Sequence, residues 1–179
     1  MILIISTCKE QLHEFEFVKP IEDIIKLNKI DFKTIHYSKL TEKTLQIADK
    51  VIITGTSLAD NEFLNHIKQF AWIKSYKKPI LGICAGAHVL GILYKGKLAK
   101  RKQIGIIKIK FKKEFLGLLG EKEVYNLHNL YVKSSEFEVY AQSGCPQALK
   151  HKQKPFYAVL FHPEVRNREV IARFINNSI

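Results

Sequence analysis

The segment Lys78-Pro79-Ile80-Leu81-Gly82-Ile83-Cys84-Ala85-Gly86 predicts a buried β-strand that turns sharply into a helix, with a cysteine at the turn. Gly82 and Gly86 would let the strand and the helix approach closely around a strained turn. The turn would lift the Cys84 side chain above the edge of a sheet, exposed to a substrate carbonyl, and place it at a helix N-terminus. The partial positive charge there favours a thiolate, so Cys84 is a candidate nucleophile.

A second segment, Phe161-His162-Pro163-Glu164, ends a hydrophobic stretch that also predicts a strand. His162 is the best placed of the seven histidines to act as a base, and Glu164 can fold back to accept one imidazole N–H. Because the carboxyl ends of parallel strands meet at one edge of a sheet, we expect Cys84, His162 and Glu164 to lie together. This pattern is typical of acyl transfer by a cysteine nucleophile.

An acyl-transfer site also needs backbone donors for the oxyanion that forms during attack. The N–H of Ala85, directly after the cysteine, is one candidate. The second is the loop that follows the predicted strand at 50–55, where Gly55 and Thr56 stand. We therefore expect Gly55, Thr56 and Ala85 to line the site.

Each motif alone also fits a structural role, because cysteine is often a small buried apolar residue and His-Pro-Glu can occupy an ordinary turn. Cys8 and Cys145 have no partner motif of this kind, and burial in the core is the preferred interpretation for both. The odd number of three widely spaced cysteines argues against a disulfide framework and for a reduced cytoplasmic setting.

The alternation of predicted strands and helices indicates an α/β fold. We expect a doubly wound, mostly parallel sheet with flanking helices, in a single domain covering 1–179. Residues 95–143 are richer in short strands and predict a small antiparallel excursion between the nucleophile and the base. The predicted strands are 1–6, 31–37, 50–55, 79–83, 104–111, 122–127, 137–142 and 156–161, and the predicted helices lie near 17–29, 60–75, 85–93 and 167–177.

The composition argues against a nucleic-acid-binding, membrane-spanning or metal-binding protein. The net charge of +12 comes from 29 basic and 17 acidic residues, but the basic residues are dispersed and lack the aromatic pattern of an RNA-binding sheet. The cluster at Lys95–Lys102 is therefore expected to solvate the surface near the site or to meet an acidic partner. No apolar stretch approaches the roughly 20 residues of a membrane span, and the N-terminus does not predict a secretory signal. No metal-ligand spacing occurs, and we expect neither a metal nor another cofactor.

The two motifs together resemble those of the class I, triad-type glutamine amidotransferases. Within that family, residues 136–165 are most similar to the glutaminase subunits of GMP synthases, and the resemblance covers most of 50–176. It implies that the substrate is glutamine and that Cys84, His162 and Glu164 are the catalytic residues. It also implies that ammonia passes to a separate ATP-pyrophosphatase-type synthetase subunit.

The chain departs from the family pattern at the positions that would hold the substrate. His88 stands where a glutamine is usual, Gly55-Thr56-Ser57 replaces a Gly-Gly-Pro-like loop, and Leu127-His128-Asn129-Leu130 replaces a Ser/Asn-His-Gly-Asp motif. His88, His128 and Asn129 are accordingly the candidate substrate-binding residues.

These departures leave two alternatives open. One is a divergent paralogue that acts on another amide or serves as a regulatory or binding protein. The other is the broader cysteine-elbow superfamily with chaperone, peptidase or regulatory roles, although that group usually places histidine directly after the cysteine, where this chain has Ala85.

Overall fold

A computed structural model describes residues 1–177 of the chain. The strands are β1 (Ile2–Ser6), β2 (Phe32–His36), β3 (Lys50–Ile53), β4 (Ile80–Ile83), β5 (Lys97–Phe115), β6 (Leu118–Lys133), β7 (Phe137–Gln142), β8 (Pro146–His151) and β9 (Phe156–Val159). They form one nine-stranded sheet with the order β2-β1-β3-β4-β9-β8-β7-β5-β6. Strands β2, β1, β3, β4 and β9 are parallel, and the remaining four join by antiparallel pairing.

The register of the parallel strands sets the position of the site. Ile53 pairs with Gly82, and Gly82 pairs with Ala158, so β3, β4 and β9 end at the same level. The loops that leave these strands carry Gly55, Cys84 and His162. Three neighbouring carboxyl ends therefore bring the predicted nucleophile, base and oxyanion loop to one edge of the sheet.

Helices cover both faces of the parallel strands. The α-helices are α1 (Glu14–Phe17), α2 (Lys19–Leu27), α3 (Glu42–Ile47), α4 (Glu62–Asn65), α5 (Ala85–Leu93) and α6 (Glu169–Asn176). Apolar side chains of α2 and α6 pack on one face, and α5 packs on the other together with a 3₁₀ segment at Ile67–Lys74. Residues Thr41 and Thr44 form a capping box at the start of α3, which satisfies backbone N–H groups there.

The predicted α/β class is confirmed, but the sheet is mixed. The predicted doubly wound parallel arrangement can describe only the five parallel strands. The antiparallel part, which the sequence predicted as a small excursion, is larger than expected. It contains the two longest strands, β5 with 19 residues and β6 with 16, of which the sequence predicted only the central portions. Residues 97–103 are strongly basic, yet they continue the ladder, with Lys97 opposite Lys133.

Other elements also differ from the sequence prediction, which contained neither strand β8 nor helix α3. Strand β8 was missed, because it begins with Pro146 and includes the polar Gln147, whose side chain bonds mainly to residues of distant strands. The helix predicted at 60–75 is a single α-turn followed by 3₁₀ structure, and the helix predicted at 17–29 is the shorter α2, which the separate α1 precedes. Within residues 1–177, no helix has the length and apolar character that a bilayer crossing requires.

Candidate active site

The turn between β4 and α5 is sharply strained at Cys84. Its backbone has φ 47° and ψ −97°, a conformation that non-glycine residues rarely adopt. A Cβ on Gly82 would lie 2.6 Å from the carbonyl oxygen of Gly86, and one on Gly86 would lie 2.3 Å from the Ile53 oxygen. Only glycine therefore allows strand β3, strand β4 and helix α5 to converge around the cysteine.

The Cys84 side chain is less exposed than the sequence predicted. Cys84 is only 6% exposed, because β6 lies over the turn and the Leu127 carbonyl oxygen is 3.7 Å from Sγ. The thiol nevertheless lines a pocket of about 250 Å³, a volume that includes its opening to solvent. The pocket is formed by Thr56, Ser57, Leu58, Asp60, Asn61, Phe63, Cys84, Ala85, His88, Leu127, His128 and Asn129.

His162 and Glu164 form a buried pair next to this pocket. Glu164 Oε1 lies 2.7 Å from His162 Nδ1, and each residue is 1% exposed. The backbone N–H of His162 donates to the Tyr125 carbonyl at 2.8 Å, and the Phe17 ring lies 5.5 Å from the imidazole. With Nδ1 engaged by the carboxylate, the imidazole is held in one orientation. Nε2 has no hydrogen-bond partner in the described part of the chain.

The protonation of His162 is governed by opposing effects. Burial alone would lower the pKa of His162, because a charged imidazolium is poorly solvated in the interior. The Glu164 carboxylate and the nearby Cys84 outweigh that effect and raise the pKa well above its ordinary value. The arrangement thus favours an imidazolium that can give a proton to a leaving group.

Gly55 connects the imidazole with the nucleophile. A Cβ at Gly55 would be 2.7 Å from His162 Cε1 and 3.5 Å from Cys84 Cβ, so all three residues are packed together. Among residues 1–177, no hydrogen bond uses the backbone N–H of Gly55, Thr56 or Ala85. These groups, which the sequence assigned to the oxyanion, therefore remain free to donate a hydrogen bond.

His88 lies at the wall of the pocket and is 4% exposed. Its Nε2 is 3.2 Å from the Leu130 carbonyl oxygen, and the ring lies nearly parallel to Phe63. Burial lowers the pKa of His88 to about 4, so the ring is neutral near pH 7. Because a carbonyl can only accept, Nε2 carries the proton, and Nδ1 is an acceptor without a partner in the described residues.

The other two predicted substrate-binding residues are engaged with the protein. His128 Nδ1 lies 3.2 Å from the Arg101 carbonyl oxygen, and its Nε2 lies 3.4 Å from Asn126 Nδ2. Burial lowers the pKa of His128 to about 4. Asn129 Nδ2 donates to the Leu58 carbonyl at 3.1 Å, which ties β6 to the loop that follows β3. Both residues line the pocket, but these polar groups already have partners.

The sequence reasoning missed Asp60, which organises the loop that follows β3. Its Oδ2 accepts from Thr56 Oγ1 at 2.6 Å and from the Lys9 N–H at 2.8 Å, while Oδ1 accepts from the Glu62 N–H at 3.1 Å. An aspartate just before a predicted helix is a recognisable signal for such a role. The contacts of Phe17 and Tyr125 with His162 had no comparable local signal.

Comparison with known proteins identifies the family. The family model of class-I glutamine amidotransferases matches residues 13–179. The chain belongs to this family. A subunit of the glutamine-hydrolysing GMP synthase of Thermoplasma volcanium is 31% identical over 150 residues, which cover 76% of this chain and 74% of that protein. The corresponding subunit from Methanococcus aeolicus is 30% identical over 167 residues, covering 80% and 89%.

The same subunit from Methanocaldococcus jannaschii is 36% identical over 110 residues, but the match covers only 58% of that protein. Solved structures of amidotransferases share the fold. A protein from Thermoplasma acidophilum, described as a candidate GMP synthase subunit, superposes with a TM-score of 0.84 at 24% identity, covering 98% of this chain and 92% of that one. A glutamine amidotransferase from Thermotoga maritima gives 0.73 at 19% identity, covering 97% and 80%.

Proposed function

We propose that this chain is the glutaminase subunit of a two-subunit GMP synthase, and that it supplies ammonia to a separate ATP-pyrophosphatase-type synthetase. The observation that carries the proposal is the buried His162–Glu164 pair packed beside the strained Cys84. A carboxylate-oriented imidazole next to a cysteine at a helix N-terminus is the arrangement that nucleophilic catalysis on an amide requires. Family membership and the named relatives support glutamine as that amide.

The first half of the reaction is acylation. The thiol proton of Cys84 passes to His162, the thiolate attacks the side-chain amide carbon of glutamine, and the carbonyl oxygen takes up the negative charge of the tetrahedral intermediate. The N–H groups of Gly55, Thr56 and Ala85 are the available donors to that oxygen. As the intermediate collapses, His162 gives its proton to the departing nitrogen. Ammonia leaves, and a glutamyl thioester on Cys84 remains.

The second half is hydrolysis of the thioester. Neutral His162 takes a proton from water, and the resulting hydroxide attacks the thioester carbon. The C–S bond breaks, glutamate departs, and the proton on His162 returns the site to its starting state. Glu164 does not exchange protons in this scheme. It fixes the tautomer of His162 and stabilises the imidazolium.

A divergent paralogue that acts on another amide remains the second candidate, and His88 is the observation that favours it. The one N–H of the neutral His88 ring donates to the Leu130 carbonyl, both ring nitrogens of His128 have partners, and Asn129 Nδ2 donates to the Leu58 carbonyl. These three residues therefore offer few free hydrogen-bond donors for the amino-acid end of glutamine. We expect weak glutaminase activity and a high KM for the isolated chain.

The test is covalent labelling with a glutamine-analogue electrophile, followed by peptide mass spectrometry. Burial raises the pKa of Cys8 to about 11 and also raises the pKa of Cys145, so neither is a competing nucleophile. We expect the adduct on Cys84 alone, with glutamine protecting it, and none in Cys84→Ala. Labelling of Cys84 that an unrelated amide blocks, while glutamine does not, would favour the paralogue. Adducts spread equally over the three cysteines would contradict the nucleophile assignment.

A further inference from the structure

One surface beside the pocket is apolar and partly open to solvent. Ile104 is 52% exposed and Ile106 is 58% exposed, on the same face of β5. Directly opposite on β6 stand Leu127, which pairs with Ile104, and Tyr125, which pairs with Ile106. Residues opposite each other in an antiparallel ladder share a face, so these four side chains form one patch. We call this patch the apolar hairpin face.

The apolar hairpin face adjoins the candidate active site through the β6 backbone. The carbonyl of Leu127 accepts from Cys84 Sγ at 3.7 Å, and Leu127 also lines the pocket. The carbonyl of Tyr125 accepts from the His162 N–H at 2.8 Å. A molecule seated on this face would therefore press on the strand that contacts both proposed catalytic residues.

The charges around the patch differ at its two ends. On one side, Lys108 pairs with Glu121, which leaves that side electrically mixed. On the other side, Lys100, Arg101 and Lys102 are exposed, and none forms an ion pair with the described residues. Lys100 pairs with Leu130 and Gln103 pairs with His128, so this basic stretch runs beside the part of β6 that borders the pocket. The surface is thus apolar at its centre and positive at its pocket end.

We propose that the apolar hairpin face, with Lys100–Lys102, is the docking surface for an acidic partner protein, namely the separate synthetase subunit. This inference rests on the proposed function, which requires a second chain to receive ammonia. Exposed aliphatic and aromatic side chains supply the buried centre of an interface, and unpaired cations at its rim steer an acidic partner into register. Its position puts the partner beside the pocket mouth.

The experiment measures binding of the purified chain to the ATP-pyrophosphatase-type synthetase encoded in the same genome, by calorimetry at two salt concentrations. The test variants are Ile106→Glu, Ile104→Glu and Lys102→Glu. The matched control is Leu119→Glu, because Leu119 is also 58% exposed and lies on β6 of the same hairpin, but six positions from Tyr125. None of these four side chains lines the pocket, so glutaminase activity of the chain alone should be unchanged.

We expect each isoleucine variant to weaken binding by about tenfold or more. We expect Lys102→Glu to weaken it several-fold and to flatten its salt dependence, with Leu119→Glu close to wild type. Equal binding by Ile106→Glu and wild type, or equal losses in Ile106→Glu and Leu119→Glu, would overturn the docking surface. So would a wild-type homodimer that Ile106→Glu dissociates, or binding of a nucleic acid that blocks the synthetase. Intact face-dependent binding without glutaminase activity would support the surface while contradicting the proposed function.

Discussion

Gly55 leaves no room for a side chain beside His162, because a Cβ at position 55 would lie 2.7 Å from the imidazole Cε1 and 3.3 Å from Nδ1. Carbon atoms at that separation overlap, so one of the two residues must move. The imidazole is held from behind by Glu164 and flanked by the Phe17 ring. The packing of the loop after β3 and the orientation of the proposed base therefore depend on each other.

We expect Gly55→Ala to keep the fold and to reduce glutamine turnover by about ten- to a hundredfold, since a displaced imidazole is misaligned with its proton acceptor. The measurement is kcat, with thermal unfolding as the check on folding. Ser57→Ala, two residues along the same loop, is the control and should retain most of its activity. A Gly55→Ala enzyme with wild-type kcat would show that the imidazole position is not limiting.

The three charged or titratable groups of the site should have unequal importance. We expect His162→Ala to lower kcat by roughly a hundred- to ten-thousandfold, because it removes the proton carrier. Glu164→Gln should leave a measurable remnant, because an orienting group is less essential than the base. His128→Gln should have a much smaller effect on kcat, since both ring nitrogens of His128 are already engaged. Near-normal turnover in His162→Ala together with loss in His128→Gln would exchange their roles.

The raised pKa of His162 makes a prediction about stability. The folded state holds a proton on His162 that the unfolded chain releases near pH 6.5, so the free energy of unfolding should fall as pH rises above about 6.5. This one group can lower the free energy of unfolding by at most about 1.4 kcal/mol per pH unit. The decrease stops once the pH exceeds the pKa of His162 in the folded state. Denaturant unfolding at a series of pH values measures it.

Replacing the carboxylate should weaken this contribution. In Glu164→Gln, only Cys84 still opposes the effect of burial on the pKa of His162, so the free energy of unfolding should fall less steeply as pH rises above about 6.5. Glu123→Gln is the control, because Glu123 is an exposed carboxylate paired with Arg166. Its profile should run parallel to that of the wild type. If Glu164→Gln also runs parallel, the His162–Glu164 pair is not the source of the pH dependence.

The sequence predicted the parallel half of the fold well, because its strands, such as Ile2–Ser6, are continuous runs of mostly apolar residues. Such runs are typical of strands that are buried on both faces. It failed at β8 and at the ends of β5 and β6, where pairing partners rather than local pattern decide the structure. Gln147 illustrates the reason. It is fully buried, and its side chain is satisfied by Gln103 and Asn126 from the distant β5 and β6. No local pattern contains that information.

In the candidate site, too, local features could be predicted from the sequence, whereas contacts made by distant strands could not. The glycines and the cysteine of the turn, and the His162–Glu164 spacing, are local features, and the structure brings these residues together. The hydrogen bonds of His88 and His128 depend on the path of β6 over the pocket. The sequence could therefore identify these residues, but it could not show which of their ring nitrogens are available to a substrate. The shielding of Cys84 by Leu127 has the same origin.

The last prediction concerns recognition of glutamine at His88. In the neutral ring, Nε2–H is committed to the Leu130 carbonyl, which leaves only an acceptor for a substrate, whereas a glutamine side chain offers two donors and an acceptor. We expect His88→Gln to lower KM with little change in kcat, because the gain is made equally in the ground state and in the transition state. A hydrogen bond to a charged group contributes roughly 1.5–3 kcal/mol, or about ten- to a hundredfold in binding, and a partial rescue near the lower end is expected.

The matched control for this experiment is His128→Gln, which makes the same substitution at a second pocket histidine whose nitrogens are both engaged. KM for glutamine should not fall in that variant. Because the pKa of His88 is about 4, the wild-type KM should also show no inflection from this residue between about pH 6 and pH 8. An unchanged KM in His88→Gln, or tight glutamine binding by the wild type, would mean that position 88 does not limit recognition and that the substrate is held by backbone groups of the pocket.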